Sequence, residues 1–197
     1  MPLVHKNKPT RSVPEQKGRY GAYKPELRDD FNRSCGYCDD DDFYALNGRA
    51  FHIDHFAPRS KFSHLETEYS NLVYSCPICN VYKGNYWASD SENEPVVGEE
   101  GVVDPCSVDY DTHLVRDEGG RIIPITPLGE FIHSKLKLGL RRHQLIWLIS
   151  KSDELISRLE EELKNHEEGS DKHAELEAMT LSVLREFRQY TNALREQ

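Results

Sequence analysis

Two Cys-x-x-Cys pairs, Cys35-Gly36-Tyr37-Cys38 and Cys76-Pro77-Ile78-Cys79, constrain this 197-residue chain more than any other feature. Four thiolates at that spacing suit one tetrahedral zinc ion, which would draw the two pairs together and fix the shape of whatever lies between them. Such a staple lets a stretch too short to bury a large core hold a defined fold. Inside the bracket lies Phe51-His52-Ile53-Asp54-His55, and Asn80 directly follows the last cysteine. The fifth cysteine, Cys106, has no partner at ligand spacing and reads as a plain buried thiol.

Hydrophobic residues make up 37% of the chain and charged residues 30%. That balance is polar, but the apolar residues recur periodically, so the chain reads as folded rather than disordered. No apolar run is long enough to span a membrane and no apolar signal core opens the chain, so the expectation is a cytoplasmic protein with no membrane partner. Paired cysteines in that reducing compartment favour metal over disulfide. The net charge of -9 argues against a general nucleic-acid coat, because DNA affinity rests on neutralising phosphates. The charge is unevenly spread: residues 1–28 hold Lys6, Lys8, Arg11, Lys17, Arg19, Lys24 and Arg28 against Glu15 and Glu26. This stretch reads either as a basic arm for a nucleic-acid backbone or as a solvated leader.

Four segments follow from the patterning. Residues 1–24, with Pro2, Pro9, Pro14, Gly18 and Gly21, should be irregular, ordered by a partner. Residues 25–90 form the stapled core. Pro25 suits a first helical turn, and Leu27 and Phe31 share a helical face. Asp39 to Asp42 read as a solvated turn. Residues 50–55 alternate with the period of a strand, residues 56–70 read as a loop, Leu72-Val73-Tyr74 as a second strand and Asn80 to Trp87 as a helix. Residues 91–127 form an acidic loop, then a hairpin around Asp117-Glu118-Gly119-Gly120. Residues 128–197 are helical, with one stripe of Leu145, Leu148, Ile149, Ile156, Leu159 and Leu163, another of Leu176, Met179, Val183, Phe187 and Tyr190, and a break at Gly169-Ser170. Two long helices in an antiparallel hairpin are the simplest arrangement. The expected fold class is α+β, a small zinc-stapled core with a predominantly α-helical C-terminal region.

Phosphodiester hydrolysis needs an activated water, a base to take its proton and positive charge for the leaving oxygen. His55 can serve as a neutral base near physiological pH, and Asp54 and Asn80 offer the hard oxygen ligands that magnesium prefers. Arg59 and Lys83 are candidate phosphate contacts. His52, three residues before His55 on an alternating strand, points to the opposite face. Tyr82, Tyr86 and Trp87 read as packing residues, and His5 and His143 as ordinary histidines.

Asp54-His55, Pro58, Asn71-Leu72, Cys76-Pro77-Ile78-Cys79-Asn80 and Lys83, occurring in that order, resemble the motif of the HNH endonucleases, a ββα-metal fold, over about residues 35–87. The resemblance implies a DNA endonuclease in which Asp54 and Asn80 hold a catalytic divalent ion and His55 activates water. It also implies that Asn71 bridges the loop backbone to orient the base, and that products carry 5′-phosphate and 3′-hydroxyl ends. Many members have histidine where this chain has Asn80, and an amide oxygen favours magnesium or manganese over zinc at that position. The cofactors expected are therefore structural zinc on Cys35, Cys38, Cys76 and Cys79, and catalytic magnesium or manganese.

A looser resemblance spans most of the chain. The HNH core, Val103-Asp104-Pro105-Cys106 with Asp109, Asp111 and His113, the Gly119-Gly120 hairpin and Leu138-Gly139-Leu140 are similar in order to the HNH proteins encoded beside an ATPase in bacterial antiphage systems of the Septu and retron-associated kind. That implies an ATPase partner docked on the acidic helices. Two alternatives stay open: a non-catalytic zinc-knuckle module that binds nucleic acid or protein, and a stand-alone restriction-type nuclease.

Overall fold

A computed structural model describes residues 3–196; Pro2 of the irregular arm and Gln197 of the tail lie outside the described residues. The class is α+β as expected, with three separate two-stranded antiparallel sheets among the described residues and a helical C-terminal region. The chain divides into two compact units, one through His143 and one from Gln144 onward.

The first unit is organised around a ββα core. Helix α1 (Lys24–Asp30) carries Pro25 in its first turn as the sequence anticipates, and Tyr23, Leu27 and Phe31 are buried. Strands β1 (His52–His55) and β2 (Leu72–Ser75) pair antiparallel, with Asp54 opposite Val73 and His55 opposite Leu72. Every residue of β2 is buried, because α1 packs on this strand and the first cysteine knuckle closes on its end. That closure requires Gly36: its N–H donates to the Tyr74 carbonyl at 2.8 Å, and a Cβ there would lie 2.6 Å from the Phe31 ring and 2.8 Å from Val73.

Helix α2 runs Pro77–Lys83, beginning inside the second knuckle instead of at Asn80, and stopping before Trp87. The Cys76 Sγ accepts the Cys79 N–H at 3.4 Å as the helix cap, Pro77 fills the first turn, and Gly84 at φ 53° ends it. The knuckle is thus itself a capping structure, which a reading by apolar periodicity does not detect.

Two further expectations are corrected here. The N-terminal segment is irregular, and its residues pack against the core. Val4 and His5 are buried, Leu3 bridges to Val115, and His5 Nε2 donates to the Gly36 carbonyl at 2.6 Å. Arg11 donates to the Leu72 carbonyl and to Asp104, both at 2.8 Å, and Lys17 pairs with Glu26. Several of its cations therefore serve the fold instead of standing free for a polyanion. The run Asp39–Asp42 is not a solvated turn either. Asp42 is 1% exposed and holds Arg28 through both carboxylate oxygens, while Asp40, 2% exposed, accepts from His143 Nδ1 at 2.8 Å. Buried carboxylates persist only when paired, and the chain positions that pair them are far apart in sequence.

Downstream, β3 (Val96–Val97) pairs with β4 (Glu100–Gly101), a short hairpin that the acidic composition concealed. The expected hairpin forms as β5 (Leu114–Arg116) and β6 (Ile122–Pro124). Arg116, 1% exposed, ties it to the core, donating to the Cys38 carbonyl at 2.5 Å and the Gly120 carbonyl at 2.8 Å. Helix α3 (Pro127–Lys135), capped by Thr126, packs on β4 and β6.

Helix α4 (Arg141–Leu163) begins in the first unit; most of it and all of α5 (Asp171–Arg195) make up the second. The break at Gly169-Ser170 appears as expected, with Ser170 capping α5 through the His173 N–H. The half-buried and buried positions of α5 include Leu176, Thr180, Val183, Phe187, Tyr190 and Leu194, a three-four alternation in which Thr180 takes the place expected of Met179. Met179 is 45% exposed.

Candidate metal centre and active site

The four knuckle cysteines converge. Their Sγ atoms all lie within 4.8 Å of one another, Cys38 and Cys76 at 3.8 Å, every one buried and none in a disulfide. Zinc-thiolate bonds of about 2.3 Å at tetrahedral angles place sulfurs roughly 3.8 Å apart, so the cluster fits zinc. Burial, with the neighbouring sulfurs, pushes the Cys38 and Cys79 thiols well up, and a divalent cation is what makes four packed thiolates tolerable. Cys106 stands apart from the cluster; burial pushes its thiol up to about 12, so it stays protonated.

Asp54 and His55 are neighbours on β1 and their side chains leave it on opposite faces. On one face, Asp54, 6% exposed, accepts the Tyr37 hydroxyl at 2.6 Å and pairs with Lys83 Nζ at 3.1 Å. Lys83 also donates to the His55 carbonyl at 2.9 Å. Burial pushes the Asp54 carboxyl up, and the Lys83 ammonium and Tyr37 hydroxyl oppose that. Lys83 is 1% exposed, so the structure corrects its expected role as a phosphate contact: it is a buried counter-charge joining α2 to β1. Asn80, half-exposed, sits one turn before Lys83 on the same helix face.

On the other face, His55, 9% exposed, sits edge-on to the Tyr20 ring at 4.7 Å. Its Nε2 is 2.9 Å from the Glu66 carbonyl oxygen. A carbonyl only accepts, so Nε2 carries the proton and Nδ1 keeps the lone pair that a base needs. Burial lowers the His55 pKa below 6.5, outweighing the Glu66 hydrogen bond, with Arg59 adding to the depression. Arg59 is half-exposed, paired with Glu66 at 2.6 Å and stacked over Tyr20 at 5.1 Å. His52 is exposed, and Tyr86 and Trp87 pack against Phe131 and Phe56 respectively.

Asn71 closes the neck of the loop between the strands. Its Oδ1 accepts the Ala57 N–H at 2.8 Å, and its Nδ2 donates to the carbonyls of Ala57 at 2.9 Å and Leu65 at 3.3 Å. Leu65 adjoins Glu66, whose carbonyl bonds His55, so the Asn71 amide holds the His55 ring through the loop. Asn71→Ala strands the buried Ala57 N–H and carbonyl, with an expected loss of about 1–3 kcal/mol in urea unfolding. Faster amide exchange in residues 56–70 should accompany it; a variant with unchanged exchange there would show that Asn71 does not brace the loop.

Two strands, a loop braced by Asn71, and a helix that carries Asn80 and pairs through Lys83 with the buried Asp54 carboxylate form one unit. Residues 35–86 match the family model of the HNH endonucleases. No curated protein and no solved structure matches the chain. The HNH segment therefore contains both knuckles, Asp54, His55, Asn71, Asn80 and Lys83. Among the described residues, no helix is long and apolar enough to cross a membrane.

Sequence reasoning missed Tyr37 and misjudged Lys83. Tyr37 lies inside the first knuckle, where spacing gives no sign that its hydroxyl will meet Asp54. Lys83 had a signal, its place three residues after Asn80, but burial is invisible in one sequence.

Proposed function

We propose that the HNH segment is a metal-dependent DNA endonuclease in which His55 is the general base. The observation that carries this is the single hydrogen bond from His55 Nε2–H to the Glu66 carbonyl, which leaves Nδ1 bare in a site whose burial keeps the ring neutral at physiological pH. His55 Nδ1 takes the proton of the attacking water, and the Glu66 carbonyl stabilises the imidazolium that forms. Arg59, exposed next to His55, holds a phosphate oxygen after yielding part of its pairing to Glu66. Across the phosphorus from that water, Asp54 and Asn80 are an all-oxygen donor pair that fits magnesium or manganese better than zinc. Asp54 Oδ1 has only a 3.4 Å contact with Lys83, so a lone pair remains for an ion. A divalent ion held there would polarise the phosphate and stabilise the leaving oxygen. Tyr37 and Lys83 set the carboxylate orientation in advance.

The test is cleavage of supercoiled plasmid by zinc-loaded wild type, with and without added magnesium or manganese. Nicking that requires the added ion supports the reading. Folded, zinc-loaded protein that binds DNA yet never cuts it with either ion, alone or with an adjacent ATPase, would establish the zinc-knuckle binding module instead.

The finer reading, an antiphage effector gated by an ATPase, rests on the motif order from Val103 to Leu140. Several of those residues have structural duties: Asp104 holds Arg11, Asp111 holds His5, His113 bonds Thr126 and Leu138 is buried. A docking surface would then lie on the acidic helices. Co-purification with an ATPase and ATP-dependent cleavage are the results this reading requires.

A further inference from the structure

The turn preceding β1 carries strain that packing does not explain. Leu46, Asn47 and Gly48 are consecutive left-handed residues with φ of 57°, 51° and 79°. Asparagine and glycine tolerate that region, but leucine is strained in it. Leu46 is nonetheless 73% exposed, and Phe43 in the same turn is 69% exposed, so neither side chain repays its place by burial.

The turn is rigid. Arg28 clamps Asp42 and donates from Nη2 to Asn47 Oδ1 at 2.6 Å, and the Tyr74 hydroxyl donates to Asp42 at 2.8 Å. Gly48 is obligatory, because a Cβ would fall 2.5 Å from the Tyr74 hydroxyl oxygen. A side-chain network centred on buried Asp42 thus holds a turn whose Phe43 and Leu46 face solvent, an arrangement that suits a contact surface.

Beside the turn is an open cavity of about 480 Å³ lined by Lys24, Arg28, Asp29, Asn47, Gly48 and Arg49. Arg28 is committed to Asp42, and Asp29 is the one carboxylate among those lining residues. Lys24 Nζ donates to the Phe51 carbonyl at 2.6 Å and the Arg49 carbonyl at 3.4 Å, which leaves its third N–H for a ligand. Arg49 is exposed, and among the described residues its guanidinium has no hydrogen-bond or ion-pair partner. Phe51 directly precedes β1, the strand carrying Asp54 and His55.

We propose that the 43–49 turn and Lys24 form a docking site for the backbone of duplex DNA flanking the cleaved bond, Lys24 and Arg49 taking a phosphate while Phe43 and Leu46 press into the adjoining groove. This rests on the nuclease reading. The chemistry favours nucleic acid over a protein partner, because protein interfaces deplete lysine, whereas DNA binders combine cations with exposed apolar wedges.

The test measures binding of a 30-base-pair duplex (a length of about three helical turns) by full-length, zinc-loaded His55→Ala protein, without added divalent ion, across a range of salt. Arg49→Gln with Lys24→Gln is expected to weaken binding about tenfold and reduce the salt slope by about 1. Leu46→Asn is expected to hold or raise Tm, since asparagine suits the left-handed turn, while weakening binding several-fold. Folded, zinc-loaded variants that keep wild-type affinity and slope would overturn the docking site while leaving the nuclease reading intact. If the variants lose affinity as expected but wild type never cuts DNA with magnesium or manganese, the docking site stands and the nuclease reading falls.

Discussion

His55→Ala should cut the rate of DNA cleavage by about 10²–10⁴-fold, the usual worth of a positioned general base, while zinc content and Tm stay near wild type. The ring packs edge-on to Tyr20 and donates one hydrogen bond to Glu66, so its loss perturbs a loop contact and leaves the zinc staple untouched. A pH profile separates this role from a structural one. In the proposed mechanism the working form is the neutral ring, and burial lowers its pKa from 6.5. The wild-type rate should therefore climb about tenfold per pH unit on the acid side and bend toward a plateau with its midpoint below pH 6.5. The His55→Ala variant should lack that limb. If the limb survives in the variant, the base is another group.

The second large effect concerns the staple. Removing zinc with a chelator, or making Cys38→Ser or Cys76→Ser, should unfold the HNH segment. Structural zinc contributes on the order of 10–16 kcal/mol to small zinc-stapled folds, as much as a whole domain's net stability of about 5–15 kcal/mol. The reason is visible in the packing. Gly36 is pressed between Phe31 and Val73, and the Cys76 Sγ caps α2, so losing the cluster releases β2 and the helix that carries Asn80 and Lys83. Metal analysis alongside thermal melts checks this, with Cys106→Ser as the control that should keep both zinc and Tm. A chelated protein that melts at the wild-type temperature would show that the cysteines do not hold the fold.

Much of the site was legible because its parts carry local signatures. The strand bearing Asp54 and His55 shows in the alternation around Ile53, and the knuckles show in cysteine spacing. Asn71 and Asn80 stood out by order along the chain. The start of α2 was misplaced because its cap is a thiol within the knuckle, and periodicity begins only after the cap. The acid run at Asp39–Asp42 was misread because solvated and buried carboxylates look alike in sequence. Which of the two each becomes depends on Arg28 and His143, which reach them from α1 and α4.

By itself the sequence determined the chemistry available: four thiols for a soft metal, a carboxylate and an amide for a hard one, and a histidine between them. Only the tertiary structure decided how each group is held. It buried Lys83 against Asp54, set Tyr37 on the same carboxylate, and brought the Glu66 carbonyl to His55, so that the ring keeps its lone pair on Nδ1. Those partners come from separate parts of the chain, and a hydrogen bond between distant residues exists only once packing has closed the distance and excluded the water that would otherwise take its place.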